Sequence, residues 1–209
     1  MRQFIFPFFS LFLILLSVYV KAQDSTKYEF TGNIGISYSS FGDNKISRND
    51  PLIGEASYNS VRFFTIGIHY NKELYEWLDI ETGVKYSKHT IRIDPVLYPP
   101  NDYPSYTENF SLINIPINLR ANFLKYFFIN GGPFLELDPS ISSSIDSQTG
   151  IGFSGGLGVK YDFNFGVSLF VNPYLKFHAL FPFSGESNQQ KIYESALRVG
   201  ISYDLGSRK

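Results

Sequence analysis

Residues 195–209 read SALRVGISYDLGSRK, and from Leu197 to Leu205 every second residue is apolar. The residues between them are Arg198, Gly200, Ser202 and Asp204. Successive side chains of a β-strand point to opposite sides, so this alternation is typical of a strand with one apolar and one polar face. The stretch predicts such a strand, and its two faces must contact different surroundings.

Seven further segments show the same period of two, although one of them, 127–137, is less regular. Together with the C-terminal stretch they predict eight strands. A chain with 17 Gly and 18% aromatic residues has the composition of a β-rich protein. The other segments are 28–40, 62–70, 78–87, 113–122, 150–162 and 166–180.

The connections between these strands alternate in length. Long connections rich in Asp, Asn, Ser, Pro and Gly are predicted at 42–60, 94–108, 138–149 and 181–192, and short ones at 71–77, 123–126 and 162–165. Outer-membrane barrels have short periplasmic turns and longer extracellular loops. The pattern therefore favours an all-β, eight-stranded, antiparallel up-and-down transmembrane barrel.

The N-terminus indicates export. An unbroken apolar run from Phe4 to Val20 follows a single Arg, and Val20 and Ala22 are small residues at a cleavage position. This predicts a signal peptide, residues 1–22, and an outer-membrane barrel domain, residues 23–209. A retained membrane anchor is the alternative, but the run is at the short limit for a spanning helix and contains Pro7.

Alternation alone does not say whether the apolar face points inward, as in a soluble lipocalin-like barrel around a ligand, or outward to lipid. The polar face favours lipid outside, because it mixes Gly and Ser with long charged residues that would fill a narrow interior. Each predicted strand also offers about 10 residues, which is enough to cross a bilayer at a tilt. The predicted interior charges are Glu81, Lys85, Arg120, Glu136, Lys160, Lys176 and Arg198.

Aromatic residues gather at both ends of the predicted strands, as expected of the two membrane interfaces. The belt at the short turns includes Tyr28, Tyr70, Trp77, Tyr126, Tyr161 and Tyr203. A second set near the long loops includes Tyr38, Phe41, Tyr86, Phe110, Phe153, Phe177 and Phe181. Three prolines, Pro116, Pro133 and Pro173, lie within predicted strands, where we expect bulges or missing ladder bonds.

Several function classes are disfavoured. There is no Cys, so thiolate metal sites and disulfides are excluded, and a net charge of -1 without a long basic run gives no support for nucleic-acid binding. No catalytic, cofactor-binding or metal-binding motif is found. Asp43, Asn44, Asn49 and Asp50 lack the spacing of a calcium loop.

Four segments carry a family resemblance: LDIETGVKYSKH, FSLINIPINLR, FINGGPFLEL and GFSGGLGVKYDF. They resemble strand segments of the PorT-like outer-membrane β-barrel family common in Bacteroidetes, especially in the Ile-Pro of the fourth strand and the Gly-Pro of the fifth. The resemblance covers residues 28–206. It implies the outer membrane of a Gram-negative bacterium and, for some members, a link to protein secretion; it brings no catalytic residues.

The sequence leaves several functions open. The first is a structural or interaction role, in which four extracellular loops contact envelope proteins and the barrel contacts outer-membrane lipid. A narrow channel, an accessory factor in secretion and a soluble ligand-binding barrel are alternatives. A lipid-modifying enzyme using His89 or His178 with loop Ser and Asp is a further one.

Overall fold

The computed structural model describes residues 32–48, 56–95, 104–140, 144–184 and 188–206. Its eight strands are β1 Asn33–Ser47, β2 Ser57–Tyr75, β3 Leu78–Asp94, β4 Tyr106–Phe123, β5 Phe127–Leu137, β6 Gly150–Asp162, β7 Val167–Pro182 and β8 Lys191–Asp204. The predicted class, all-β with eight antiparallel strands, is confirmed. The predicted signal peptide, 1–22, lies outside the described residues. Over the described part of the chain, no helix has the length and apolar character needed to cross a membrane.

The sheet closes on itself in chain order. β1 pairs with β2 on one side and with β8 on the other, from Asn33 opposite Asp204 to Ser47 opposite Lys191. Closure leaves no strand at a free edge of the sheet, where water inside a bilayer could not satisfy the backbone groups. This is the geometry that permits a sheet to span a membrane.

The two faces of β8 have opposite surroundings. The side chains of Val199, Ile201 and Tyr203 point outward and are exposed, whereas Arg198 and Ser202 are buried inside the barrel. The other strands follow the same rule, with Ile36 outside and 60% exposed. The apolar face therefore surrounds the barrel, and the lipocalin-like alternative, which needs that face inside, does not fit.

Six of the eight strands are longer than predicted, whereas β5 and β6 have the predicted bounds. The strands contain 11 to 19 residues. Parts of the predicted loops 42–60 and 94–108 are strand, and the observed long connections are 48–56, 95–105, 138–149 and 183–190. The short ones are 76–77, 124–126 and 163–166. At the long-loop ends of β1 and β3 the outward residues become polar, as at Asp43 and Lys88, so the alternation of apolar residues fades while backbone pairing continues.

The ladder is interrupted next to each proline. Pairing between β4 and β5 stops at Pro116–Phe134 and resumes at Leu119–Gly131, and the ladder of Pro173 with β6 has a similar gap. The register is unchanged across these gaps, which agrees with the expected loss of ladder bonds. The register shifts lie elsewhere, at Ser39/Phe41, Ser60/Arg62, Glu73/Tyr75 and Ile151/Phe153.

Glycine on the polar face makes room for interior rings. A Cβ on Gly200 would lie 2.4 Å from the Phe170 ring and 2.8 Å from the Ile36 carbonyl oxygen. Gly200→Ala is expected to lower the free energy of unfolding by about 1–3 kcal/mol, because overpacking displaces the ring or the ladder. The measurement is urea unfolding of the protein folded into lipid vesicles.

Gly155→Ala is the matched control for this prediction. The nearest atom to a Cβ on Gly155 is 3.8 Å away, which is ordinary van der Waals contact. An equal loss of stability in both variants would show that the effect comes from glycine in a strand and not from Phe170.

Candidate functional site

The candidate site is the interior of the barrel, where the structure brings most of the predicted charges together. Glu81, Arg120, Glu136, Lys176 and Arg198 are buried there. Lys85 and Lys160 also face inward and are half-buried. Their strands place them at successive heights between the short turns and the long loops.

Near the short-turn end, one buried carboxylate accepts hydrogen bonds from several side chains. Glu81, fully buried, accepts hydrogen bonds from both terminal nitrogens of Arg198, at 2.7 and 3.1 Å. Lys85 donates to it at 3.5 Å and Asn118 at 3.4 Å. A buried charge needs such compensation, so this cluster neutralises Glu81 and joins strands β3, β4 and β8 across the lumen.

Arginine and phenylalanine fill the interior nearer the short turns. The guanidinium of Arg120 lies 3.7 Å from the centre of the Phe128 ring, and that of Arg198 lies 5.1 Å from the Phe170 ring. His69 meets Phe170 edge-on at 5.4 Å. At the mouth itself Lys160 pairs with Asp162 at 3.4 Å. Cation–π contacts of this kind are stronger when the cation is desolvated.

A second charge cluster lies closer to the long loops. His178 Nδ1 is 2.8 and 3.0 Å from the two oxygens of Glu136, and Asn114 donates to the same carboxylate. Lys176 donates to Asn114 and stands over the Phe134 ring at 4.8 Å.

Glu194 extends this second cluster across the lumen. It accepts from the Tyr174 hydroxyl and lies 3.6 Å from His178 Nε2 and 4.0 Å from His89 Nε2. Asn44 contacts His89 Nδ1 at 2.9 Å. The second cluster therefore links strands β1, β3, β4, β5, β7 and β8.

An apolar cap, defined here as Ile91, Ile93, Phe110, Leu112, Ile145 and Ile192, fills the barrel above the second cluster. Phe110 stacks on His89 at 4.9 Å and joins the cap to the charged layer. Phe110 was predicted to belong to the outer aromatic set; this is wrong, because it is 3% exposed and faces inward. Ile145 comes from the 138–149 connection, so the described part of that connection contributes a side chain to the lumen.

Sequence reasoning missed Glu194, Tyr174 and Asn44 as interior contacts. Glu194 has the same parity as Arg198, so extending the predicted strand toward Lys191 would have placed it inside. Asn44 follows a bulge at Ser39/Phe41 that reverses the parity of β1, and no sequence signal marks that bulge.

This arrangement of side chains gives little support for a catalytic or a metal-binding site. His89 and His178 are directed at Glu194 and Glu136, not at a loop serine. Within the described ranges, no group of three His, Cys, Asp or Glu has a geometry that could hold a metal ion. Asp43 and Asn44 lie on opposite faces of β1, and Asn49 and Asp50 lie outside the described residues.

The aromatic side chains at the short-turn end form stacked pairs on the outside of the barrel. Tyr126 stacks on Tyr161 with ring centres 6.1 Å apart, and Trp77 stacks on Tyr75 at 6.3 Å. Trp77, Tyr126, Tyr161 and Tyr203 are between 40% and 57% exposed, whereas Tyr70 is half-buried. Tyr28 lies outside the described residues.

A closed, eight-stranded barrel with an apolar exterior and a charged interior defines a transmembrane β-barrel of the outer-membrane type. The family model for the outer membrane protein beta-barrel domain matches residues 8–204 of this chain. The chain belongs to this family, and its place is the outer membrane of a Gram-negative bacterium. A comparison with curated proteins gives no match.

A solved structure supports the fold. The outer membrane protein OprG from Pseudomonas aeruginosa is 12% identical, with a TM-score of 0.53, over 85% of this chain and 97% of that one. The attachment invasion locus protein Ail of Yersinia pestis is 14% identical, with a TM-score of 0.42, over 83% of this chain and all of that one (100%). The similarity to OprG concerns architecture alone.

Proposed function

We propose that this protein is a non-conducting, non-catalytic barrel that anchors its long connections at the cell surface for interaction with other envelope components. The observation that carries the proposal is the filled lumen. Two charge clusters and the apolar cap occupy the interior from the short turns to the long loops. A rigid barrel of this kind is a scaffold on which loops carry function.

The lumen leaves little room for a solute. A cavity beside Lys85 and Arg198 measures about 30 Å³, and a buried water needs about 10–15 Å³. Eight-stranded barrels are only wide enough for their own side chains. Moving an ion through would require breaking the Glu81–Arg198 pair and displacing the apolar cap, so the channel alternative is disfavoured.

Conductance tests this proposal. Wild-type protein in planar bilayers is expected to show no stable conductance steps, because side chains block both halves of the lumen. The double variant Glu81→Ala/Arg198→Ala removes two long side chains and is expected to produce intermittent steps. A heat-modifiability gel confirms that each sample is folded; steady steps of equal size in wild type and variant would contradict the proposal.

Partners are proposed to contact the long connections. Cross-linking of intact cells through residues introduced at Thr107 or Ser57, both exposed near the long loops, is expected to capture envelope proteins. The same residue placed at Lys125 in a short turn is the control. Identical products from both ends would indicate contact without loop specificity.

We further propose that the chain is of the PorT-like type found in Bacteroidetes, with cleavage of residues 1–22 and with aromatic belts at the membrane interfaces. The support is the four strand segments quoted above, the apolar N-terminal run and the stacked exterior rings. An accessory role in secretion is the corresponding alternative. N-terminal sequencing of protein from outer membranes is expected to begin at Gln23.

A further inference from the structure

One side of the barrel exterior carries an unusual group of cations at the long-loop end. The outer basic patch, defined as Lys45, Arg62, Lys88 and Arg92, lies on β1, β2 and β3, and all four side chains are exposed. The strand register aligns Lys45 with Asn59 and Asn59 with Arg92, so the patch is continuous across three strands. Standard sheet spacing places neighbouring cations about 8–10 Å apart.

These cations are largely free to bind an external anion. Arg92 pairs with Asp94 at 2.8 Å and remains 56% exposed. Among the residues that the structure describes, no ion pair engages Lys45, Arg62 or Lys88. Arg92 also donates to the Ser105 hydroxyl at 3.2 Å. Within the described residues, four cations with one carboxylate partner make a surface complementary to a ligand with more than one negative charge. Arginine suits phosphate because it can bind two oxygens at once.

An apolar depression adjoins the patch and extends from β1, β2 and β3 onto β7 and β8. It has a volume of about 940 Å³ and is lined by outward residues that include Tyr38, Ile66, Val84 and Tyr86. Tyr86 is two residues from Lys88 on the same face of β3, and Phe64, between Ile66 and Arg62 on β2, lies opposite Lys88. Side chains that can bind phosphate therefore lie directly beside an apolar surface that can contact acyl chains.

The opposite side of the barrel provides a contrast. A second apolar depression, of about 600 Å³, lies on β3–β7 and is lined by residues such as Leu119, Ile129 and Leu157. The exposed outward side chains at the long-loop ends of β5, β6 and β7 are Leu137, Ile151 and Phe181. The pairing of cations with an apolar depression is therefore a property of one sector, not of the whole rim.

We propose that the outer basic patch and the adjacent depression form a binding site for a multiply phosphorylated lipid of the outer leaflet. The phosphates bind Arg62, Lys88 and Arg92, and acyl chains occupy the depression beside Ile66 and Val84. The site rests on the placement of the long-loop end at the outer leaflet. It does not depend on whether the lumen conducts, so the conductance experiment and the experiment below can fail separately.

The test uses the full mature chain in phosphatidylcholine nanodiscs with fluorescent diphosphoryl lipid A as the probe. Wild-type protein is expected to enrich the probe around itself, and Arg62→Gln/Lys88→Gln is expected to weaken this by about tenfold or more, since each basic residue near a charged lipid surface contributes to attraction. Lys72→Gln/Lys125→Gln removes the same charge at the short-turn end and is expected to retain wild-type binding. Dephosphorylated lipid A is expected to bind wild type as weakly as diphosphoryl lipid A binds the Arg62/Lys88 variant.

Three results would overturn the proposal. Equal enrichment by wild type and the Arg62/Lys88 variant would remove the patch from the site. An equal loss in the Lys72/Lys125 variant would indicate a general charge effect. Displacement of the probe by glucosamine phosphate at equal concentration would show that the depression adds nothing, which makes the site one for soluble phosphate.

Discussion

Arg198→Met is expected to lower the free energy of unfolding by about 3–5 kcal/mol, the usual cost of leaving one member of a buried ion pair without its partner. Arg198 is 5% exposed and Glu81 is fully buried, so water cannot replace the lost donors. Lys85 still reaches Glu81 at 3.5 Å in the variant, which favours the lower end of this range. Reversible urea unfolding in lipid vesicles measures the change.

A double-mutant cycle with Glu81→Gln separates the pair from the packing of the methylene groups. Once the carboxylate is neutral, Arg198→Met is expected to cost much less, because no buried negative charge remains unpaired. Lys125→Met, in the exposed 124–126 turn, is the control and is expected to change stability by less than about 0.5 kcal/mol. An equal cost of Arg198→Met in both backgrounds would show that Arg198 acts through packing alone.

Leu157→Arg is the second large expected effect, at about 2–4 kcal/mol of lost stability, the cost of a cation on the lipid face near the bilayer midplane. Leu157 points outward, is 61% exposed, and lies midway along β6 between the aromatic residues Tyr161 and Phe153. In water, an exposed leucine could be replaced by arginine at almost no cost. The measurement is again unfolding from vesicles.

Ser57→Arg is the matched control for the lipid face. Ser57 is exposed at the long-loop end of β2 and lies opposite Asp94 of β3, so an arginine there remains in a polar setting. We expect less than about 0.5 kcal/mol of change. Equal costs at Leu157 and Ser57 would contradict the position assigned to the membrane.

The number of strands and the direction of their faces could be predicted from the sequence, because period-2 alternation is a local property of the chain. The bounds of β5 and β6 agree with the prediction. Those of strands such as β3 could not be predicted, because beyond the lipid their outward positions carry residues such as Lys88 and Arg92 and the alternation fades. Phe110 was misplaced for the same reason. The sequence predicted its ring at the outer membrane interface, but β4 is longer than predicted and the ring lies inside the barrel.

The sequence could predict which types of residue fill the interior, but not which of those residues contact one another. Arg198 and Glu81 are 117 positions apart in the chain, and their meeting depends on how far each strand is displaced along its neighbour. That displacement accumulates around the ring and is altered by bulges such as the one at Ser39/Phe41. Alternation identifies which residues face inward and leaves their heights undetermined.

The pairing of the first strand with the last has a kinetic consequence. β1 emerges early in synthesis, yet one of its two partners, β8, is the last strand made. Until β8 arrives, β1 keeps a row of backbone donors and acceptors that hydrocarbon cannot solvate. Completing this pair is a contact between distant parts of the chain, which is a slow step in folding. Entry into the bilayer therefore has to be nearly all-or-none, with the unfinished barrel held outside it or sheltered by another protein until the circle is complete.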